Sequence, residues 1–155
     1  MESKAMSPLT IMLVDDSSIC NLIMRKVLSH LPITTDIRDF TDPVYAFSQL
    51  SALHPSLIFL DLNMPELDGW GFLERMRETG QRQPVIILTS STSTIDRSRC
   101  DEFSNVLFYQ NKPVTAAFVD VLSPLLQEFQ AKATPPTTGA SGTTYPAQNS
   151  GAPII

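Results

Sequence analysis

Residues 57–73 read LIFLDLNMPELDGWGFL. The first four, Leu57 to Leu60, are apolar without alternation, and the run stops at Asp61. A continuous apolar run of strand length suits a strand buried on both faces, the habit of parallel sheets covered by helices on either side. Asp68-Gly69 closes the loop that follows, and Trp70, Phe72, Leu73 and Met76 then fall at helical spacing. The stretch reads strand, loop, helix, with a carboxylate at the carboxyl end of the strand.

The same alternation extends in both directions. Leu9 to Val14 is a short apolar run of strand length, and Ser17 and Ser18 are helix caps for a stripe of Ile19, Leu22, Ile23 and Val27 that Pro32 ends. Asp36 to Phe40 is a weak strand. Thr41-Asp42-Pro43 starts a helix carrying Ala46, Phe47, Leu50 and Leu53 on one face. Val85 to Leu88 is a second buried-strand run. Ser91 to Phe103 is a polar helix candidate whose strong apolar anchors are Ile95 and Phe103. Val106 to Tyr109 is the fifth strand. Phe118, Val121, Leu122, Leu125 and Phe129 mark a last helix, in which Pro124 either kinks the helix or breaks it.

Apolar strands alternating with helices imply an α/β fold: a doubly wound five-stranded parallel sheet flanked by five helices, joined by right-handed crossovers. Residues 1–8 read as a flexible N-terminus and residues 9–130 as the folded domain. From Ala131 to the end the chain is rich in Pro, Thr, Gly and Ser, with Lys132 as its one charged side chain, and it reads as a disordered tail.

In open sheets of this kind ligands sit beyond the carboxyl ends of the strands. Those ends carry Asp15 and Asp16, then Asp61, then Thr89 and Ser90, and after the fifth strand Lys112. Any one of these alone is more often a helix cap, a turn residue or a solvated charge. Four strand ends bearing compatible chemistry weaken that reading. Three aspartates brought together repel one another, and a hard divalent cation such as Mg²⁺ resolves the repulsion. Lys112 supplies a positive charge for a phosphate oxygen, Thr89 can hydrogen-bond another, and a carboxylate can be the nucleophile in phosphoryl transfer.

Composition limits the alternatives. The chain has 155 residues, a net charge of −5 and a pI of about 4.8, and its Lys and Arg are scattered. That argues against direct nucleic-acid binding, which needs a basic patch. No apolar stretch approaches the roughly 18 residues of a membrane span, and residues 1–8 lack the apolar core of a signal peptide. The expected location is the cytoplasm. Cys20 and Cys100 form no metal-ligand spacing with His30 or His54 and read as reduced thiols.

With IMLVDDSS at 11–18, DxxMPxxDG from Asp61 to Gly69, VIILTSS at 85–91 and FYQNKPV at 108–114, the sequence resembles the receiver domains of two-component response regulators, which have a flavodoxin-like fold. The resemblance spans about Leu9 to Phe129. It implies that Asp61 is the phospho-acceptor and Asp16 a direct Mg²⁺ ligand. Asp15 then acts through metal-bound water, and the Asn63 backbone carbonyl is a further ligand; Mn²⁺ is the alternative ion. It implies that Lys112 pairs with Asp61 and its phosphoryl group, that Thr89 and Tyr109 are the switch pair, and that Asn63 and Ser91 tune phosphoryl lifetime. The Lys112–Pro113 bond is expected cis.

The resemblance further implies a histidine kinase or histidine phosphotransfer protein as donor, with output through an unidentified protein partner or onward transfer. It leaves open a homodimer through the face of the fourth helix, fifth strand and fifth helix. Such a domain is a switch that catalyses only its own aspartyl phosphorylation and dephosphorylation. Three rivals remain: an aspartate-nucleophile phosphohydrolase, which would want a second acid where Asn63 stands; a flavin-binding module, whose phosphate Asp15 and Asp16 would repel; and a receiver acting only as an interaction module.

Overall fold

The computed structural model describes residues 7–133. Residues 1–6 and 134–155, and with them most of the expected terminal segments, lie outside the described residues. The elements run β1 (Leu9–Val14), α1 (Ser18–Leu28), β2 (Thr35–Phe40), α2 (Pro43–Ser48), α3 (Leu50–Leu53), β3 (Leu57–Leu60), α4 (Gly69–Glu78), β4 (Val85–Thr89), α5 (Thr94–Arg99), a 3₁₀ turn (Cys100–Glu102), β5 (Val106–Asn111) and α6 (Ala116–Ala133).

The strands form one parallel sheet in the order β2-β1-β3-β4-β5. The chain starts in the middle, moves to one edge with β2, then crosses back through β3 to β5. That reversal beside β1 opens a crevice at the carboxyl ends of β1 and β3, where Val14 is in register with Leu60.

Strand side chains alternate between two cores. Met12, Val14, Ile58, Leu60, Val85 and Ile87 face α2, α3, α4 and Phe103. Leu9, Ile11, Leu13, Leu57, Phe59, Ile86 and Leu88 face α1 and α6 through Met24, Leu28, Phe118, Leu122 and Leu126. Each such side chain, once fully buried, contributes about 1.5–3 kcal/mol. These two cores hold the strand ends at fixed separations, and the site depends on that.

Four local expectations need correction. The expected second helix is two pieces, because Gln49 ends α2 and opens α3, so the described residues hold six helices where five were expected. α1 buries Asn21, Met24 and Leu28, while Ile19, Leu22 and Ile23 are 67%, 64% and 47% exposed. The Ser17 cap, whose side chain accepts from the Cys20 N–H, and the turn at Asp15 fix how the helix is rolled; the richer apolar stripe faces outward as a result. Ile95 is no anchor: it is 78% exposed, α5 buries no residue, and Cys100 and Phe103 hold the segment instead. α6 runs unbroken through Pro124 and three residues past the expected boundary, to Ala133, burying Phe118, Leu122 and Leu126 and leaving Val121 exposed.

Besides the buried Cys100 and Phe103 that follow it, α5 is attached by Arg97 over Tyr109 and Arg99 over Trp70. The Trp70 and Phe103 rings stack at 6.0 Å, with Arg99 over Trp70 at 4.7 Å and Arg77 over Phe103 at 4.8 Å. With so little apolar burial, α5 belongs to the low-stability end of the fold.

Candidate functional site

β1 delivers Asp15 and Asp16, and β3 delivers Asp61. The Asp61 N–H bonds the Val14 carbonyl at 2.9 Å, and the Asp15 N–H bonds the Phe40 carbonyl at 3.1 Å, so both carboxylates continue the ladder. One Asp15 oxygen accepts from the Ser17 N–H at 2.9 Å, which turns the chain into α1. Gly69 presses the start of α4 against the loop behind Asp61. A Cβ there would lie 2.6 Å from the Asp61 carbonyl oxygen and 2.8 Å from the Leu62 Cα. Only glycine fits that approach.

Asp15, Asp16 and Asp61 place one carboxylate oxygen each within 4.8 Å of one another. Asp15 and Asp61 are each 6% exposed, whereas Asp16 and Asn63 lie open to solvent. Lys112 enters from β5: its Nζ is 2.6 Å from Asp15 Oδ2 and 3.5 Å from Asp61 Oδ1. The ammonium is thus held more closely by Asp15 than by Asp61. Burial pulls its pKa down, but the Asp15 hydrogen bond and the two carboxylate charges outweigh this and hold it above the ordinary lysine value.

Burial, then the Asp15 charge, push Asp61 up to about 6, against the Lys112 charge and an N–H donated by Asn63. One ammonium does not neutralise three crowded carboxylates. Such a donor set fits a hard divalent cation with oxygen ligands, which would supply the missing positive charge. Asp15, Asp16 and Asp61 are the side chains that would hold it.

The remaining residues lie on the β4–α5 side. Thr89 is fully buried at the end of β4, and its hydroxyl accepts from the Ser91 N–H at 3.1 Å. The Tyr109 hydroxyl donates to the Ser91 carbonyl at 3.0 Å, with Arg97 stacked over the ring at 4.6 Å. The Ser91 hydroxyl donates to Asp96 at 2.6 Å, so it is engaged by α5 rather than by Asp61. The Lys112–Pro113 peptide is cis. His30 and His54 are exposed, and both cysteines are free thiols. No described helix is long and apolar enough to cross a membrane.

Sequence reasoning overlooked Cys20, whose Sγ lies 3.7 Å from Lys112 Nζ, and Asn21, buried behind the acidic pair. Asn21 carried a usable signal: a carboxamide on the same helical face as Met24 and Leu28. It also overlooked Arg97, which has no motif to mark it.

Residues 11–116 match the family model of the response regulator receiver domain. The chain belongs to that family. Receiver domains are signalling modules, and here the carboxylates of Asp15, Asp16 and Asp61 cluster at the strand ends of the sheet. It is 34% identical over 89 residues to a protein-glutamate methylesterase/protein-glutamine glutaminase of Xanthomonas campestris pv. campestris; the match covers 56% of this chain and 24% of that protein. It is 30% identical over 105 residues to the sensor protein EvgS of Escherichia coli K12, covering 64% of this chain and 9% of EvgS. The chain therefore spans a quarter or less of these relatives, and the likeness is to their receiver part.

Among solved structures, the receiver domain of a putative LuxO repressor protein from Vibrio parahaemolyticus superposes with a TM-score of 0.71 at 21% identity, covering 82% of this chain and 96% of that one. The Mn²⁺-bound form of the response regulator Rcp1 superposes with a TM-score of 0.65 at 26% identity, covering 84% of this chain and all of that one.

Proposed function

We propose that this receiver domain is a Mg²⁺-dependent phosphorylation switch in which Asp61 accepts a phosphoryl group from a phosphohistidine on a histidine kinase or histidine phosphotransfer protein. The observation that carries this reading is the convergence of Asp15, Asp16, Asp61 and Lys112 at the carboxyl ends of β1, β3 and β5. The Mn²⁺-bound Rcp1 structure supports a divalent ion at such a site, with Mn²⁺ as the alternative to Mg²⁺.

An Asp61 carboxylate oxygen forms the new bond to phosphorus as the phosphorus–nitrogen bond to the donor imidazole breaks, and the imidazole leaves with its electron pair. Asp16 and Asp61 with the Asn63 carbonyl, and Asp15 through water, would hold the cation, which would supply positive charge for the phosphoryl oxygens. Lys112 exchanges part of its contact with Asp15 for a phosphoryl oxygen. Thr89 gives up the Ser91 N–H and turns its hydroxyl toward the phosphoryl group. Because Tyr109 is tied to the Ser91 carbonyl, movement of this loop is felt at the ring and at Arg97. The balance between two arrangements of β4–α5 shifts accordingly. Asn63 and Ser91 set how readily water reaches the phosphoryl group.

Ile19, Leu22 and Ile23 are exposed on α1, Ile23 lines a cavity with Asp15 and Lys112, and together they are the surface a donor would meet. Output runs through α5, β5 and α6, to a protein partner, to a second copy of the chain, or by onward transfer, in the cytoplasm and without direct contact to nucleic acid.

Intact-mass spectrometry after incubation with acetyl phosphate and Mg²⁺ tests the reading. One added phosphoryl group, absent with EDTA and absent in Asp61→Asn, is the expected result. No adduct, together with no binding of beryllofluoride, refutes it and leaves a receiver acting only as an interaction module.

A further inference from the structure

We propose that Asn21 is a positioning residue for the metal-binding carboxylates: its buried carboxamide ties the ends of β1 and β2 together and so sets where Asp15 and Asp16 stand. The inference rests on the metal-dependent reading of the site above. Asn21 is 2% exposed on the inner face of α1, between apolar neighbours. A polar side chain buried there is tolerated only if its hydrogen bonds are made. Its Nδ2 donates to the Asp15 carbonyl at 3.2 Å and to the Phe40 carbonyl at 3.1 Å.

Those two carbonyls mark where the sheet ends. The β1–β2 ladder closes at the Val14–Phe40 pair, and the Asp15 N–H to Phe40 carbonyl bond is its last rung. Beyond that rung no strand backbone remains to hold the Asp15-Asp16 peptide. Asn21 supplies the next two bonds from inside α1.

The clamp acts where repulsion would pull the site apart. Asp15, Asp16 and Asp61 keep oxygens within 4.8 Å of one another, with Lys112, bonded to Asp15 at 2.6 Å and 3.5 Å from Asp61, as their one close cation among the described residues. Each carboxylate would lower its energy by moving outward, and Asp15 and Asp16 lie past the last residue of β1, Val14. Fixing the Asp15 carbonyl removes that freedom before the cation arrives. Residues that orient metal ligands in this way, without touching the metal, typically contribute 10- to 100-fold to affinity.

The test is calorimetric titration of the unphosphorylated full chain with Mg²⁺, beside urea unfolding in EDTA. Asn21→Leu keeps the branching and heavy-atom count of the side chain and removes both donors. Asn21→Ala removes the donors with no risk of overfilling the slot, should the leucine variant fail to fold. Leu28→Ala, on the same buried face of α1 but a turn and more from the loop, is the control for lost stability alone.

We expect Mg²⁺ binding to weaken about tenfold or more in the Asn21 variants and to be unchanged in Leu28→Ala. The Mg²⁺ concentration for half-maximal phosphorylation should rise with it, while the rate at saturating Mg²⁺ stays close to that of the unaltered protein. Equal Mg²⁺ affinity in the Asn21 variants overturns the inference. So does an equal loss in Leu28→Ala, which would make Asn21 one core residue among others. If the unaltered chain itself binds no Mg²⁺, the functional reading has failed first.

Discussion

Replacing Asp61 by Asn should make the metal-free protein more stable, although it removes the residue on which function turns. Asp61 is 6% exposed, and burial and the Asp15 charge raise it from 3.8 to about 6. A folded-state value above the unfolded one means that the ionised carboxylate is worse off in the folded chain. By linkage the penalty is complete above about pH 6 and is lost as pH falls toward about 4, where the unfolded chain also binds the proton. At about 1.36 kcal/mol per unit the shift corresponds to roughly 3 kcal/mol. The mouth of the site is open on the Asp16 side, and solvent screening brings the expected gain down to about 1–2 kcal/mol. Asn fills nearly the same volume, and Lys112 keeps its 2.6 Å bond to Asp15, so no buried charge is orphaned.

The assay is urea unfolding of both proteins in EDTA at several pH values. Asp61→Asn should be more stable near pH 7.5, with the difference shrinking steadily below about pH 6. Mg²⁺ should then reverse the order. A ligand at 100 times its Kd stabilises by about 2.7 kcal/mol, and the variant lacks one of the carboxylates that would hold the cation. A variant no more stable than the unaltered protein in EDTA near pH 7.5, or a gain that persists undiminished to about pH 4, refutes the electrostatic account of this site.

Two further outcomes follow from particular contacts. Gly69→Ala should cost at least about 2 kcal/mol in urea unfolding and weaken Mg²⁺ binding in calorimetry. The added Cβ meets backbone, the Asp61 carbonyl oxygen at 2.6 Å and the Leu62 Cα at 2.8 Å, which cannot turn aside as a side chain would. Leu22→Gln, at a position 64% exposed, should change stability by no more than about 0.5 kcal/mol and leave labelling by acetyl phosphate intact. It should slow transfer from a phosphohistidine-bearing phosphotransfer domain in a rapid-quench assay; unchanged transfer would remove the outer face of α1 from the donor interface.

Much of the molecule was legible in order along the chain. Leu57–Leu60 and Val85–Leu88 are apolar throughout because both faces of a central parallel strand are covered, and that pattern needs no knowledge of what covers them. The acidic pair, Asp61, Thr89 and Lys112 could be gathered because strand ends in such a sheet share one edge. Sequence also marked Gly69, through the DxxMPxxDG spacing, although the reason for it, a backbone approach too close for a Cβ, appears only in three dimensions.

The faces of the helices were not legible in the same way. α1 carries two plausible apolar stripes, and periodicity favours the richer one, Ile19, Leu22 and Ile23. The Ser17 cap and the Asp15 turn roll the helix so that Asn21, Met24 and Leu28 go inward. Ile95 likewise counted as an anchor by hydropathy, yet α5 is held by Arg99 on Trp70 and by Phe103, and contacts between charge and aromatic ring leave no period in a sequence.

The sequence by itself thus determined the succession of strands and helices along the chain, the class of fold and the chemistry available at its edge, since these follow from local hydrophobic pattern and residue type. Only the tertiary structure decided which helix faces are buried, that Lys112 leans on Asp15 more than on Asp61, and that Asn21 closes the sheet behind the acidic pair. Those outcomes depend on distances between segments far apart in the chain, set by how two cores fill, and no local pattern encodes them.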